Sequence, residues 1–383
     1  MEFLIKLLII FLFLGCSVSD YQQIATAIVS KKPSNAIKTY ASKKAKYYGT
    51  HPDVLIRDIK YFKRNFNLEI RRFLKFISTW RNPRKPEPKT LVKYTNNYKA
   101  RAIINFSKGY VRVETIAKDY KKVLKKALIN TMLMPDDPRS VDLFSDKIVL
   151  KGKPFLAGQI YDNENKLVLY RWRANRYANW LIKHKLKSYL YKGQKVYFVT
   201  FRLAKNSLNV RVKRYLPYVE ENSKRFKLSK TLILAIIKTE SDFNPYATSY
   251  VPAFGLMQIV PTTAGVEAWE RVYGYKRVPS KEYLYVPKNN IKMGTAYLNI
   301  LFYRYLRKIK NPISREYCVI SSYNAGVGNV LRVFSRRKDR AFNIINSLSP
   351  KEIYTRLTMR LKTSEARRYL PKVIKHKKLF IGY

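Results

Sequence analysis

The chain has 383 residues, enough for two folded domains at roughly 150 residues each, and 46 % of them are hydrophobic, which excludes wholesale disorder. Lysine and arginine total 77 against 25 acids, a net charge of +52; this field gathers anionic partners (nucleic acid, anionic lipid or a carboxylate-bearing wall) or is a solvated surface, and charge alone does not choose. The two cysteines (Cys16, Cys318) and three scattered histidines (His51, His184, His376) lack disulfide or metal-ligand spacing, and no phosphate-binding glycine loop occurs, so neither a metal nor a cofactor is expected.

Residues 1–16, MEFLIKLLIIFLFLGC, join Lys6 to an apolar run Leu7–Leu14 that is too short to cross a hydrocarbon core of about 30 Å. This is an export signal. Ending at Gly15-Cys16, it resembles a bacterial lipoprotein signal, which implies lipid on the Cys16 thiol; the alternative is a plain signal with an incidental cysteine. Ser17 fits sorting to the periplasmic face of the outer membrane. Residues 17–50 are polar and read as a tether. From Val54 to Trp80 the residues Leu55, Ile59, Phe62, Phe66, Ile70, Phe73 and Ile77 form one apolar helical stripe, either docked on a domain or lying on a membrane surface. Asn82 to Pro88 breaks regular structure.

Between Lys89 and Ile116 the period becomes two, with Val111, Val113 and Thr115 alternating against Arg112 and Glu114 and a turn at Ser107-Lys108-Gly109. Leu167–Tyr170 and Lys195–Thr200 read as further strands, and Tyr120–Leu133 and Trp172–His184 as helices. Residues 51–203 are therefore expected to form an α+β domain, without a legible catalytic motif. Residues 210–383 read as all-helical: Pro217–Phe226, a helix capped by Ser229, one capped by Asn289 or Asn290 and running to Leu306, then Arg315–Tyr323 and Ser364–Lys375.

Glu240 closes the apolar helix Thr231–Thr239, and Pro245 soon stops the chain from continuing it. A carboxyl where an oily helix meets a loop is partly buried, burial raises its pKa, and a proton donor working near neutral pH needs that shift. An ordinary glutamate in a helix's last turn is the alternative reading.

Several spaced motifs carry a resemblance. Glu240-Ser241, Gly255-Leu256-Met257-Gln258, Asn290-Ile291 with Gly294 and Tyr297-Leu298, Ser322-Tyr323-Asn324-Ala325-Gly326, and Glu365-Ala366-Arg367-Arg368-Tyr369-Leu370 occur in this order. Together they resemble the lytic transglycosylases with a goose-lysozyme-like fold. That resemblance implies a lysozyme-like catalytic domain after the α+β domain, acting on peptidoglycan glycan strands. Glu240 would protonate the bond between N-acetylmuramic acid and N-acetylglucosamine, then draw the proton from the muramyl 6-hydroxyl to leave a 1,6-anhydro end. It further implies substrate contacts by Ser249, Met257, Gln258, Tyr323, Asn324, Glu365 and Tyr369, with Tyr323 orienting Glu240 or the sugar near it and Met257 serving as cleft wall or core. Asp242 is expected to be structural, capping backbone N–H groups. A muramidase that admits water, a wall-binding lipoprotein without activity and a nucleic-acid binder are the other readings. The export signal and the missing recognition motifs speak against nucleic acid as a partner. The expected partners are the wall glycan, the membrane through the lipid on Cys16, and components of the wall machinery.

Overall fold

The computed structural model describes residues 79–84, 86–137, 150, 152–249 and 253–383. The signal with Cys16, the tether 17–50, and the helix expected over Val54–Trp80 (apart from Thr79 and Trp80) lie outside these residues.

The first half is built on β1 (Thr90–Thr95), β2 (Ala100–Asn105) and β3 (Tyr110–Thr115), followed by helices α1 (Tyr120–Met132) and α2 (Arg171–Lys185) and strands β4 (Lys187–Tyr191) and β5 (Gln194–Arg202). The strands pair antiparallel in the order β1-β2-β3-β5-β4. Alternation decides which side chains meet the helices. Ala100, Ala102, Ile104, Val111, Val113, Val199 and Phe201 face a core closed by Leu124, Leu128 and Leu181. The opposite face holds Val92, Tyr94, Ile103 and Val196 under Trp80. Arg101 also points there, fully buried, with its Nε 2.6 Å from Glu114 Oε2 and its guanidinium 3.9 Å from the Trp80 ring centre. The expected turn forms: Gly109 takes φ +64°, a conformation suited to glycine, and Lys108 N–H donates to Asn105 Oδ1 at 2.7 Å.

Leu167–Tyr170 is not a strand of this sheet. Leu167 makes only an isolated bridge to Tyr161, and Tyr170 precedes α2. β4 escapes sequence reading because Lys187–Tyr191 is an edge strand without a fully buried residue, so it lacks a clean apolar alternation.

The second half is helical: α3 (Ser207–Phe226), α4 (Lys230–Glu240), α5 (Ala264–Tyr273), α6 (Lys281–Tyr285), α7 (Pro287–Ile300), a π-helical turn Leu301–Tyr305, α8 (Pro312–Ala325), α9 (Val327–Arg332), α10 (Lys338–Ser347), α11 (Pro350–Arg360) and α12 (Ser364–Lys378). The architecture is thus α+β, an antiparallel sheet domain followed by a helical domain. α4 is its central rod, with Leu232 to Ile237 all buried among α3, α7, α8 and α12. Among the described residues no helix is long and apolar enough to cross a membrane.

Several expected helix starts shift. α3 begins at Ser207 and carries Pro217 inside it. Ser229 sits at the N-cap of α4, but its hydroxyl bonds that of Thr231 at 2.6 Å and not a helix N–H. α7 starts at Pro287, where a missing N–H costs nothing, and neither Asn289 nor Asn290 caps it. The α-helix stops at Ile300, short of Leu306, where the π turn takes over. In α8 the cap is Asn311, whose Oδ1 accepts from Ile313 N and Ser314 N at 3.0 Å each.

Candidate active site

Glu240 is the last residue of α4 and is part-buried. Ser241 fixes the helix end: its N–H donates to Ile237 O at 2.9 Å, and its hydroxyl donates to Leu256 O at 2.7 Å. The chain then turns sharply, with Asp242 at φ 55° and Phe243 at φ 60°. Both sit in the left-handed region, which an L residue keeps only when its surroundings impose it. Phe243 is fully buried, stacked near Tyr215 and set edge-on to Phe380.

Asp242 is where the sheet domain grips this turn. Its Oδ2 accepts from the Ser107 hydroxyl at 2.7 Å, its Oδ1 accepts from Lys238 Nζ at 2.8 Å, and Arg211 lies 3.5 Å away. Arg211 also donates to Asp242 O at 3.2 Å and to Gln159 Oε1 at 2.8 Å. Burial alone would push the Asp242 carboxyl up, but the Lys238 charge and hydrogen bond, the Ser107 hydroxyl and Arg211 together hold it below the ordinary carboxylate range. Asp242 is structural, as expected, yet it works as the centre of a buried ion cluster and not as a cap for backbone N–H groups.

A second wall comes from the turn Gly255–Gln258. Gly255 takes φ +73°, and a Cβ there would lie 2.6 Å from Leu284 O and 2.8 Å from Asn290 Cγ, so only glycine fits. Asn290 holds the turn from below, accepting from Met257 N–H at 2.7 Å and donating to Phe254 O at 2.7 Å and Leu284 O at 2.8 Å. Met257 packs tightly on Gly294 of α7, and its carbonyl accepts from Tyr323 O–H at 2.8 Å.

The third wall is α12. Glu365, Tyr369, Lys372 and His376 recur at four- and three-residue steps and so share one face. Tyr369 O–H donates to Glu240 Oε1 at 2.5 Å. One turn earlier, Glu365 receives the Asn324 amide, and burial raises its pKa. Around Glu240 the opposing effects are unequal. Burial dominates and Glu365 reinforces it; Tyr369, Lys89 and Lys372 pull the other way; the carboxyl ends pushed up to about 7. It is poised to hold a proton near neutral pH and then give it up. Among the described residues no group of His, Cys, Asp and Glu is arranged to hold a metal.

A family model described as "Membrane-bound lytic murein transglycosylase C, N-terminal domain" matches residues 61–214, and one described as "Transglycosylase SLT domain" matches residues 217–346. A membrane-bound lytic murein transglycosylase C of Klebsiella pneumoniae (strain 342) is 47 % identical over 289 residues, covering 75 % of this chain and 80 % of its own. That of Yersinia pestis (strain Pestoides F) is 44 % identical over 299 residues, covering 77 % and 83 %.

The chain belongs to the membrane-bound lytic murein transglycosylase C family.

Among solved structures, the lytic transglycosylase Slt of Pseudomonas aeruginosa aligns at 26 % identity with a TM-score of 0.31; the alignment spans 43 % of this chain and about a quarter (23 %) of that one. In this member of the transglycosylase C family, Glu240, Met257, Tyr323, Asn324, Glu365 and Tyr369 are brought together by contacts across α4, α8, α12 and the Gly255 turn. Gln258 lies beside them at φ 48°; its amide N–H groups brace the loop on Ala247 O (3.1 Å) and Gly255 O (2.9 Å), while its buried Oε1 has no partner among the described residues. Ser249 stands further along the same loop, where its N–H reaches Ala253 O at 3.4 Å. Sequence reasoning missed Lys89, Ser107 and Lys372, because a lysine or serine carries no local pattern that announces a partner in another domain.

Proposed function

We propose that this protein is a peptidoglycan lytic transglycosylase in which Glu240 serves as acid and then as base. The observation that carries this reading is the Glu240 carboxyl itself, raised to about 7 by burial, taking the Tyr369 hydroxyl on its Oε1 at 2.5 Å and lying near Tyr323, whose own hydroxyl holds the Met257 turn. Protonated, it gives its proton to the oxygen linking N-acetylmuramic acid to N-acetylglucosamine, and that bond breaks toward an oxocarbenium-like centre at C1. The resulting carboxylate takes the proton of the muramyl 6-hydroxyl, whose oxygen closes onto C1. The proton count balances, no water is consumed, and a 1,6-anhydromuramyl end remains.

Two features support one residue doing both tasks. Two-carboxylate glycosidases set a second free acid across the bond. Here Asp242 is tied into three cationic or hydroxyl partners, and Glu365 takes the Asn324 amide. We assign Gln258, Asn324, Glu365, Met257 and Ser249 to sugar contact and cleft wall, with Tyr369 orienting the acid and Tyr323, whose hydroxyl is spent on Met257 O, holding the turn beside it. Gln258 Oε1 and Asn324 Oδ1 support this, being buried acceptors without a partner among the described residues.

The domain division taken here is residues 51–203 and 210–383. Cys16 is assigned as the lipid-bearing residue that holds the enzyme on the periplasmic face of the outer membrane, beside wall-machinery partners and with no nucleic acid. Mass spectrometry of digested sacculi tests the reaction: anhydromuramyl ends support it, and reducing muramyl ends would replace it with a hydrolytic muramidase.

Tyr369→Phe removes the donor on Glu240 Oε1. A hydrogen bond to a charged group contributes about 1.5–3 kcal/mol, so the maximal rate should fall roughly 10- to 100-fold. The hydrogen bond lowers the Glu240 pKa, so its loss should also move the alkaline limb of the rate profile to higher pH. A limb that moves to lower pH would contradict the assignment.

A further inference from the structure

Lys89 belongs to the sheet domain, one residue before β1, yet it is held against the segment that follows Glu240. Its carbonyl accepts from Phe106 N–H at 3.1 Å, and the carbonyl before it, Pro88 O, accepts from Asn244 Nδ2 at 2.9 Å. Ser107, next to Phe106, bonds Asp242. The Lys89 side chain is part-buried, and its ammonium makes no hydrogen bond or ion pair among the described residues. The acids within its electrostatic reach are Asp242 and Glu240. Asp242 is already satisfied by Ser107, Lys238 and Arg211, and Glu240, its carboxyl pushed up to about 7, offers no full counter-charge near neutral pH. Lys372 of α12 stands one turn beyond Tyr369, exposed and within electrostatic reach of Glu240, Glu365 and Lys89.

A part-buried ammonium without a counter-ion is costly, and burial lowers the Lys89 pKa accordingly. An anion arriving with the substrate would remove that cost. On a glycan of alternating amino sugars, the anionic group nearest the scissile bond is a carboxylate on the muramyl lactyl arm or on the peptide amide-linked to it. The geometry points to Lys89 and Lys372 as a two-domain clamp that takes a substrate carboxylate beside Glu240, so that the enzyme prefers acidic, muramyl-bearing strands over neutralised ones. This rests on the transglycosylase reading and adds a specificity determinant supplied by the sheet domain.

The test uses the full-length protein and soluble uncrosslinked strands, either untreated or with every carboxyl converted to an amide. A charge-assisted contact of this kind should give the native enzyme a kcat/KM about tenfold higher on the acidic strands. In Lys89→Met that ratio should fall toward one, and in Lys89→Arg it should be largely retained. Loss of the lysine charge also lets the Glu240 pKa rise, but that acts on both strand types and cancels in the ratio. A third arm, strands stripped of peptide by an amidase, keeps only the lactyl carboxylate: preference retained there names the lactyl arm, and preference lost there names the peptide. A native enzyme indifferent to neutralisation, or a Lys89→Met protein that loses equally on both strands, overturns the clamp. A native enzyme that releases no anhydro ends from any strand instead overturns the reaction assigned above.

Discussion

Glu240→Gln is expected to lower release of anhydromuramyl ends by about 10²- to 10⁴-fold, the contribution of a positioned general acid–base group, while leaving the fold intact. Glutamine is isosteric and can still accept from Tyr369 O–H. The same substitution should raise stability in alkali. The folded-state pKa of Glu240 is about 7 against an ordinary 4.5, so its protonated form is the favoured one in the fold. Stability linked to such a group is fully present below the unfolded pKa and is lost as pH rises through the folded one. At about pH 8 the native protein has therefore given up on the order of 3 kcal/mol that the glutamine variant keeps, and below about pH 4 the difference closes. Urea denaturation across that range reads it directly. Equal pH dependence in the two proteins would mean that Glu240 is not the desolvated acid described above.

The second large effect belongs to Asp242→Asn. This removes the one negative charge among Arg211, Lys238 and the Ser107 hydroxyl, and both Asp242 and Arg211 are nearly inaccessible, at 2 % and 1 % exposure. Breaking a buried ion pair by deleting one partner typically costs about 3–5 kcal/mol, because the other charge is left uncompensated. A loss of that size should appear as a lower urea midpoint at neutral pH. The Asp242 pKa is depressed in the fold, so its contribution is complete above the ordinary carboxylate range and is lost as pH falls through the depressed value. The gap between variant and native protein should therefore narrow in strong acid. A variant within about 0.5 kcal/mol of native stability, the range of ordinary surface changes, would show the cluster to be inert.

Legibility from the sequence followed the physics of each element. α4 was readable because Leu232, Ala235, Ile236 and Thr239 keep helical spacing, and Glu240 at its end was readable as a candidate because a carboxyl stands out against such a run. The third strand was readable from the alternation of Val111, Val113 and Thr115, whereas β4 was hidden at the sheet edge. Helix starts were placed less well: asparagine is a good cap, but Asn290 is buried instead beneath the Gly255 turn, where its three hydrogen bonds outweigh anything a cap offers. Tyr369 reached the site list through motif resemblance alone. Nothing local in α12 shows that its hydroxyl meets a carboxyl 129 residues away. The ion cluster at Asp242 was invisible for the same reason, since Ser107, Arg211 and Lys238 come from three separate stretches.

Tyr246 gives the last consequence. It follows the turn at Asp242 and Phe243 in sequence, yet its ring sits in the core of the sheet domain, edge-on to Phe155 at 5.5 Å, with its hydroxyl on Pro135 O. The loop that follows Glu240 thus ends in a peg driven into the neighbouring half of the molecule. Excising the helical half as a stand-alone enzyme would strand that peg in water, cut Arg211 off from Gln159 and leave a socket open in the sheet domain. The seam that similarity draws between residues 214 and 217 is therefore a seam of ancestry and not of cooperativity, and whatever loosens the sheet will be felt at the proton.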